Sequence, residues 1–227
     1  MSNFHQQLQQ ATCSDRDYIT GAPIIQQALA GDITTELYAA FLLQAYHHVR
    51  HTTPLLMACG GKLGADYEWL RNAVAEYIEE ELGHQEWVLN DIAAAGFDRD
   101  SARQSTPNAA TELMVSYAYD TIARGNPVAF FGMVQVLEGT SVRIADAAAE
   151  AIQAATGLPN QAFSYLRSHG ALDQDHVKFF ADLMNKIECR KDQAAVIHAA
   201  KMFYQLYGNV FRSIAVSQLQ ALTPRAA

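Results

Sequence analysis

Glu81 and His84 stand three residues apart in the acidic run Tyr77-Ile-Glu-Glu-Glu-Leu-Gly-His-Gln-Glu-Trp87. On an α-helix, positions i and i+3 share a face, so one carboxylate and one imidazole can grip one ion. Asp91, seven residues on, returns to nearly the same face. Taken alone, so short a motif reads first as a solvated acidic helix face. The run His169-Gly-Ala-Leu-Asp173-Gln-Asp175-His176 is more specific. Positions i, i+4 and i+7 fall within roughly 60° of one another on a helix. His169, Asp173 and His176 would then offer two imidazoles and a carboxylate to a divalent metal. Gly170 complicates this, since a cap there would put His169 at a helix break; an amphipathic helix with partly exposed histidines is the even alternative.

Glu138 ends the apolar run Phe130-Phe-Gly-Met-Val-Gln-Val-Leu137. A carboxylate so placed is expected to be buried, and a buried carboxylate needs a partner or a raised pKa. The partner is a metal if the other candidates converge on it, and otherwise Arg143 or Arg124 in a structural pair. His47, His48 and His51 crowd into one stretch, with His47 and His51 on one helix face and His48 pointing elsewhere. An interface stripe is the favoured reading of that cluster. His47, His48, Tyr77, Asp91, Tyr117 and Tyr204 therefore form a second tier of pocket candidates.

The elements that must position these residues read as helices throughout. Gly31, Gly60, Gly96, Gly125 and Gly157 fall where helix C-termini would be, and Thr106-Pro107 and Asn126-Pro127 read as N-cap plus first-turn proline. Between these marks apolar residues recur at helical spacing, with no sustained alternation of the kind strands need. The pattern predicts helices at 23–30, 33–58, 65–95, 107–124, 126–156, 160–169, 171–188 and 192–220. Residues 1–22 are expected to be an irregular N-terminal arm, 97–106 a loop and 221–227 a tail around one domain at 23–220. The fold class is all-α.

Composition sets the outer bounds. The 227 residues carry 24 Asp+Glu against 16 Lys+Arg, a formal charge of −8, and 50% are apolar. So apolar a chain supports a folded core rather than disorder. An acid excess argues against nucleic acid as a partner, because phosphate neutralisation needs clustered cations. Three scattered cysteines fit neither a disulfide framework nor a zinc site. The polar N-terminus and the short apolar runs predict a cytoplasmic protein with no membrane partner.

In this order, Glu81-x2-His84, Glu138 and His169-x3-Asp173-x2-His176 resemble the heme-oxygenase-like diiron oxidases. These belong to a superfamily that also holds TenA-type thiaminases and pyrroloquinoline quinone synthase. The words Glu80-Glu81-Leu82-Gly83-His84, Ser168-His169-Gly170-Ala171-Leu172-Asp173 and Phe41-Leu42-Leu43-Gln44-Ala45-Tyr46 carry the likeness over about 33–215. The resemblance implies a heme-oxygenase-like bundle of seven or eight helices, usually a homodimer, around a central cavity. It further implies that Glu81, His84, Glu138, His169, Asp173 and His176 bind iron as one or two ions, with manganese as the substitute. Tyr77 stands where parts of the family carry another ligand carboxylate.

Within that superfamily a thiaminase is disfavoured, because no cysteine falls in the 132–139 neighbourhood that supplies its nucleophile. Heme is not expected, since His5 lies in the predicted arm. The expected activity is that of a nonheme iron oxidase or oxygenase acting with O₂ on a small organic substrate. The alternatives are a non-catalytic binding protein and a cofactor-free oxidase resembling pyrroloquinoline quinone synthase.

Overall fold

The computed structural model describes residues 3–171 and 173–222, with side chains described except at 169–176 and 221. The side chains of His169, Asp173 and His176 thus lie outside the described ones, and most of the predicted tail lies outside the described residues. In chain order the α-helices are α1 (Phe4–Ala11), α2 (Cys13–Thr20), α3 (Pro23–Ala30), α4 (Thr35–Val49) and α5 (Thr52–Lys62). Then come α6 (Glu68–Glu81), α7 (His84–Ala94), α8 (Arg99–Gln104), α9 (Ala109–Arg124) and α10 (Phe131–Thr156). The last three are α11 (Ser164–Ala171), α12 (Asp173–Asn185) and α13 (Arg190–Ser213). Eleven of these lie wholly among residues with described side chains, which already exceeds the expected seven or eight.

The excess has identifiable causes. Residues 1–22 are not an irregular arm but two helices, with Asn3 accepting from Gln6 N at the first N-terminus and Phe4, Leu8 and Ile19 buried. The expected loop at 97–106 contains α8, started by Asp98 accepting from Ser101 N. The expected helix 33–58 breaks after Val49, and a new one starts at Thr52 with Pro54 in its first turn, where a missing N–H costs nothing. The expected helix 65–95 breaks at Leu82-Gly83. Asn126 caps the turn that begins at Pro127 as expected, whereas Thr106-Pro107 starts no helix: Asn108 caps Thr111 N and α9 begins at Ala109, and Thr34 caps Leu37 N ahead of α4.

Two long helices form the centre. α10 packs against α11 and α13, and α13 also packs against α2 and α9. At the α10–α13 crossing, a Cβ on Gly132 would lie 2.5 Å from the Ala200 nitrogen and 2.7 Å from the Val196 oxygen. Only a residue without a side chain lets the two backbones come that close. The chain from Pro127 through α10 is long and apolar enough to cross a membrane, yet more than half of its apolar window is buried by neighbouring helices. It reads as the core helix of a bundle. The N-terminal helices are fastened to α13 by the Arg212 guanidinium, 3.7 Å from the Tyr18 ring centroid, and by Tyr18 donating to Asn209 at 2.7 Å.

Candidate functional site

α6 buries Leu70, Ala73, Val74 and Tyr77, a three-and-four spacing that turns one face to the core. Glu81 is one turn beyond Tyr77 on that face and is the last residue of the helix. Leu82 is extended, Gly83 has φ +91°, and α7 begins at His84. Glu81 and His84 therefore do not share one helix, as the i,i+3 spacing implied, but face each other across a break. They still meet: His84 Nδ1 is 2.9 Å from Glu81 Oε2. The buried imidazole also stacks on Trp87, with ring centroids 4.1 Å apart.

Glu138 comes from α10. Together with Glu81, Tyr77 and His48 it lines a cavity of about 70 Å³ that Tyr165 and Tyr207 close on another side. Phe130, Met133 and Leu137 supply its apolar wall, whereas Phe131 and Phe179 instead pack around Tyr77. Burial pushes the Glu138 carboxyl well above the usual carboxylate range, and the charges of Glu81 and Glu80 push it further. Tyr77, directed at the same carboxylate, opposes this only in part. Neither expected arginine relieves it. Arg124 pairs with Asp120 at the surface, and Arg143 lines a separate small crevice with Arg16. Among the described residues no Lys or Arg forms an ion pair with Glu138.

The second tier separates cleanly. His48 and Tyr77 are in the cavity wall. His47 points away, with Nε2 2.9 Å from Ser105 Oγ, and its pKa is pushed down to about 4 by burial and then by Arg50 and His51. Tyr117 packs edge-on against Phe203, and the buried Tyr204 bonds to Gln135 and Thr12. Asp91 is fully buried, but it accepts from Ser164 N at 3.1 Å, Tyr165 N at 2.8 Å and the Ser164 hydroxyl. It caps the helix that carries Tyr165 into the cavity wall. Burial raises its pKa against the pull of those three bonds. Asp91→Ala is expected to cost about 2–3 kcal/mol, lowering the unfolding temperature by roughly 4–12 °C in a calorimetric scan. An unchanged midpoint would show the cap to be idle.

Sequence reasoning passed over Tyr165, Tyr207 and Ser141, which also line the cavity. Ser141 was within reach, because it is three residues after Glu138 and so on the same face of α10. Cys59 is buried, donates to the Pro127 carbonyl at 3.3 Å, and has its thiol pushed up to about 12 by that burial. So protonated a thiol is a poor nucleophile.

The donors present fit a hard, divalent cation. Oxygen and imidazole groups suit iron or manganese, and a buried carboxylate that shares its cavity with Glu81 and feels the charge of Glu80 gains most from positive charge. The described residues alone do not complete a shell, for no three of their His, Cys, Asp and Glu side chains cluster tightly enough to hold an ion.

A family model described as "iron-containing redox enzyme" matches residues 39–208. Among solved structures, a domain of unknown function with a heme oxygenase-like fold from Shewanella denitrificans is 25% identical, with a TM-score of 0.84 over 100% of this chain and 99% of that one. A TenA homolog from Pseudomonas syringae is 14% identical, with a TM-score of 0.77 over 93% and 92%. Heme oxygenase-1 from the cyanobacterium Synechocystis, in complex with heme, is 12% identical, with a TM-score of 0.74 over 97% and 96%. The fold is thus heme-oxygenase-like. No curated protein matches the chain.

Proposed function

From the premise that this chain belongs to the iron-containing redox enzyme family, we propose that it is a nonheme iron oxidase or oxygenase acting with O₂ on a small organic substrate. Glu81, His84 and Glu138 would hold one or two irons together with His169, Asp173 and His176. The observation that carries the reading is the Glu138 carboxylate, which lines the cavity with Glu81 and has no Lys or Arg paired to it among the described residues. Bound there, iron would supply the one-electron chemistry that O₂ requires and that side chains lack.

The chain's own residues do the rest. Glu138 holds a proton in the metal-free protein and gives it up when a cation arrives. Trp87 fixes the His84 ring by stacking, so that its donor nitrogen keeps one direction. Phe130, Met133 and Leu137 limit water in the cavity, which protects reactive species from side reactions. Exposed, unpaired Cys13 and Cys189 suit the reducing cytoplasm proposed as the location.

Anaerobic titration of metal-free protein with Fe(II), followed by elemental analysis, tests the reading. The expected result is near-stoichiometric loading that releases protons and tightens as pH rises, because a raised carboxyl must deprotonate to ligate. Loading is expected to be lost in His169→Ala or His176→Ala. No uptake of iron or manganese, with unchanged stability in both variants, would overturn it. O₂ consumption by a protein that stays metal-free would favour the cofactor-free oxidase instead, whose chemistry would then rest on His48, Tyr77, Tyr165 and Tyr207.

A further inference from the structure

Next to the polar cavity lies a second one of about 60 Å³. Ile24 and Ile25 of α3, Phe41 of α4, Ile144 and Ala148 of α10 and Phe211 of α13 form much of its wall, which among the described residues contains no Asp, Glu, His, Lys or Arg. Three residues, Ser141, Tyr165 and Tyr207, line both cavities and so form the partition between them. The polar groups of the apolar cavity are otherwise engaged. Tyr38 donates to the Ala162 carbonyl at 2.7 Å, Thr140 donates to the Val136 carbonyl at 2.6 Å, and the hydroxyls of Tyr165 and Tyr207 share a hydrogen bond. Ser141 is the exception, for its hydroxyl makes no hydrogen bond to any described residue.

We propose that the apolar cavity is the substrate's second compartment, taking the unbranched aliphatic body of a small amphiphile whose polar function is held at the Ser141 hydroxyl. This rests on the redox reading of the polar cavity and names the class of molecule that cavity serves. A charged group cannot enter the apolar side, where nothing would pair with it. An alkyl chain can, with each buried methylene strengthening binding about fourfold. A polar function hydrogen-bonded to Ser141 stands one helical turn from Glu138, about 4.5 Å along the axis of α10. The carbon bearing it is thereby presented at the polar cavity. The neighbouring hydroxyls of Tyr165 and Tyr207 already share a hydrogen bond, which leaves Ser141 as the lining hydroxyl with no described partner.

Titration of metal-free protein with the series from 1-butanol to 1-decanol, followed by isothermal calorimetry, tests this without iron. The expected result is saturable binding that tightens about fourfold per methylene and then stops when the cavity is full. Ser141→Ala should weaken every alcohol by a similar factor of about five. Ala148→Leu should remove the gain from the longer chains. Ile152→Ala enlarges the same wall and should move the plateau to a longer alcohol, which keeps the test decisive if the filled variant misfolds. Absence of saturable binding, no dependence on chain length, or a plateau that neither variant moves would overturn the proposal. Failure of the alcohols in a protein that loads Fe(II) sinks this inference and spares the redox reading. The expected alcohol pattern in a protein that takes up no transition metal does the reverse.

Discussion

Glu138→Gln is expected to abolish metal loading while making the metal-free protein more stable. The two effects have one cause. In the wild type the carboxyl is held by burial, and by Glu81 and Glu80, well above its usual range. Once pH exceeds the range where a free glutamate ionises, the unfolded chain has released a proton that the folded chain still holds. Stability of the metal-free protein therefore falls as pH rises through that window, until the folded carboxyl also ionises. A glutamine keeps the shape, removes the proton equilibrium and removes this slope. Calorimetric scans of the two metal-free proteins should coincide in acid and diverge toward alkaline pH, with the variant ahead by roughly 2–6 °C.

The same replacement takes away a charged oxygen donor, so Fe(II) affinity should drop by about 100-fold or more. A variant that loads iron normally would remove Glu138 from the site. One that unfolds sooner than the wild type at alkaline pH would show that the carboxylate has a stabilising partner.

Gly132→Ala is expected to cost about 3 kcal/mol, a large loss for one methyl group. The added carbon would press on the Ala200 nitrogen and the Val196 oxygen, both backbone atoms of α13 that cannot rotate aside. Relief requires the two central helices to separate, and that separation would loosen every contact along the crossing. The unfolding midpoint should fall by roughly 6–12 °C. Gly61→Ala is the matched control, because nothing lies within 4 Å of a Cβ there. In that exposed helical position the methyl should stabilise by up to about 1 kcal/mol. Equal behaviour of the two variants would mean that the helices are not held at that distance.

Much of the fold was legible in the sequence because helices announce themselves locally. Asn126 is the cap that its Asn-Pro pair announced, the cap expected at Thr106 falls two residues later at Asn108, and the apolar spacing between such marks follows one period. The misreadings have local causes as well. Pro54 marks a helix start, but the apolar pattern running through 33–58 hid it. Residues 4–20 bury few apolar side chains, and their packing on α12 and α13 lies far along the chain. For the site, Glu138 was legible because a carboxylate at the end of so apolar a run has nowhere else to go. The pairing of Glu81 with His84 was legible too, though for the wrong geometric reason. Tyr165 and Tyr207 were not, since nothing near either one signals that α11 and α13 meet around a cavity.

The break at Leu82-Gly83 has a mechanical consequence. Two side chains on one straight helix keep a spacing set by its rise, and changing it means breaking backbone hydrogen bonds. Glu81 and His84 belong instead to separate rods joined by a two-residue joint, whose glycine adopts a backbone conformation that resists most other residues. Their separation is governed by the angle between the rods. The outward side of the joint is bare, with Leu82 62% exposed, so the angle is set by what the rods pack on elsewhere, α5 for α6 and α4 and α11 for α7. The site takes one jaw from the unbroken α10 and the other from the α6–α7 joint, so the grip of the second is fixed from outside, by the helices that hold the two rods.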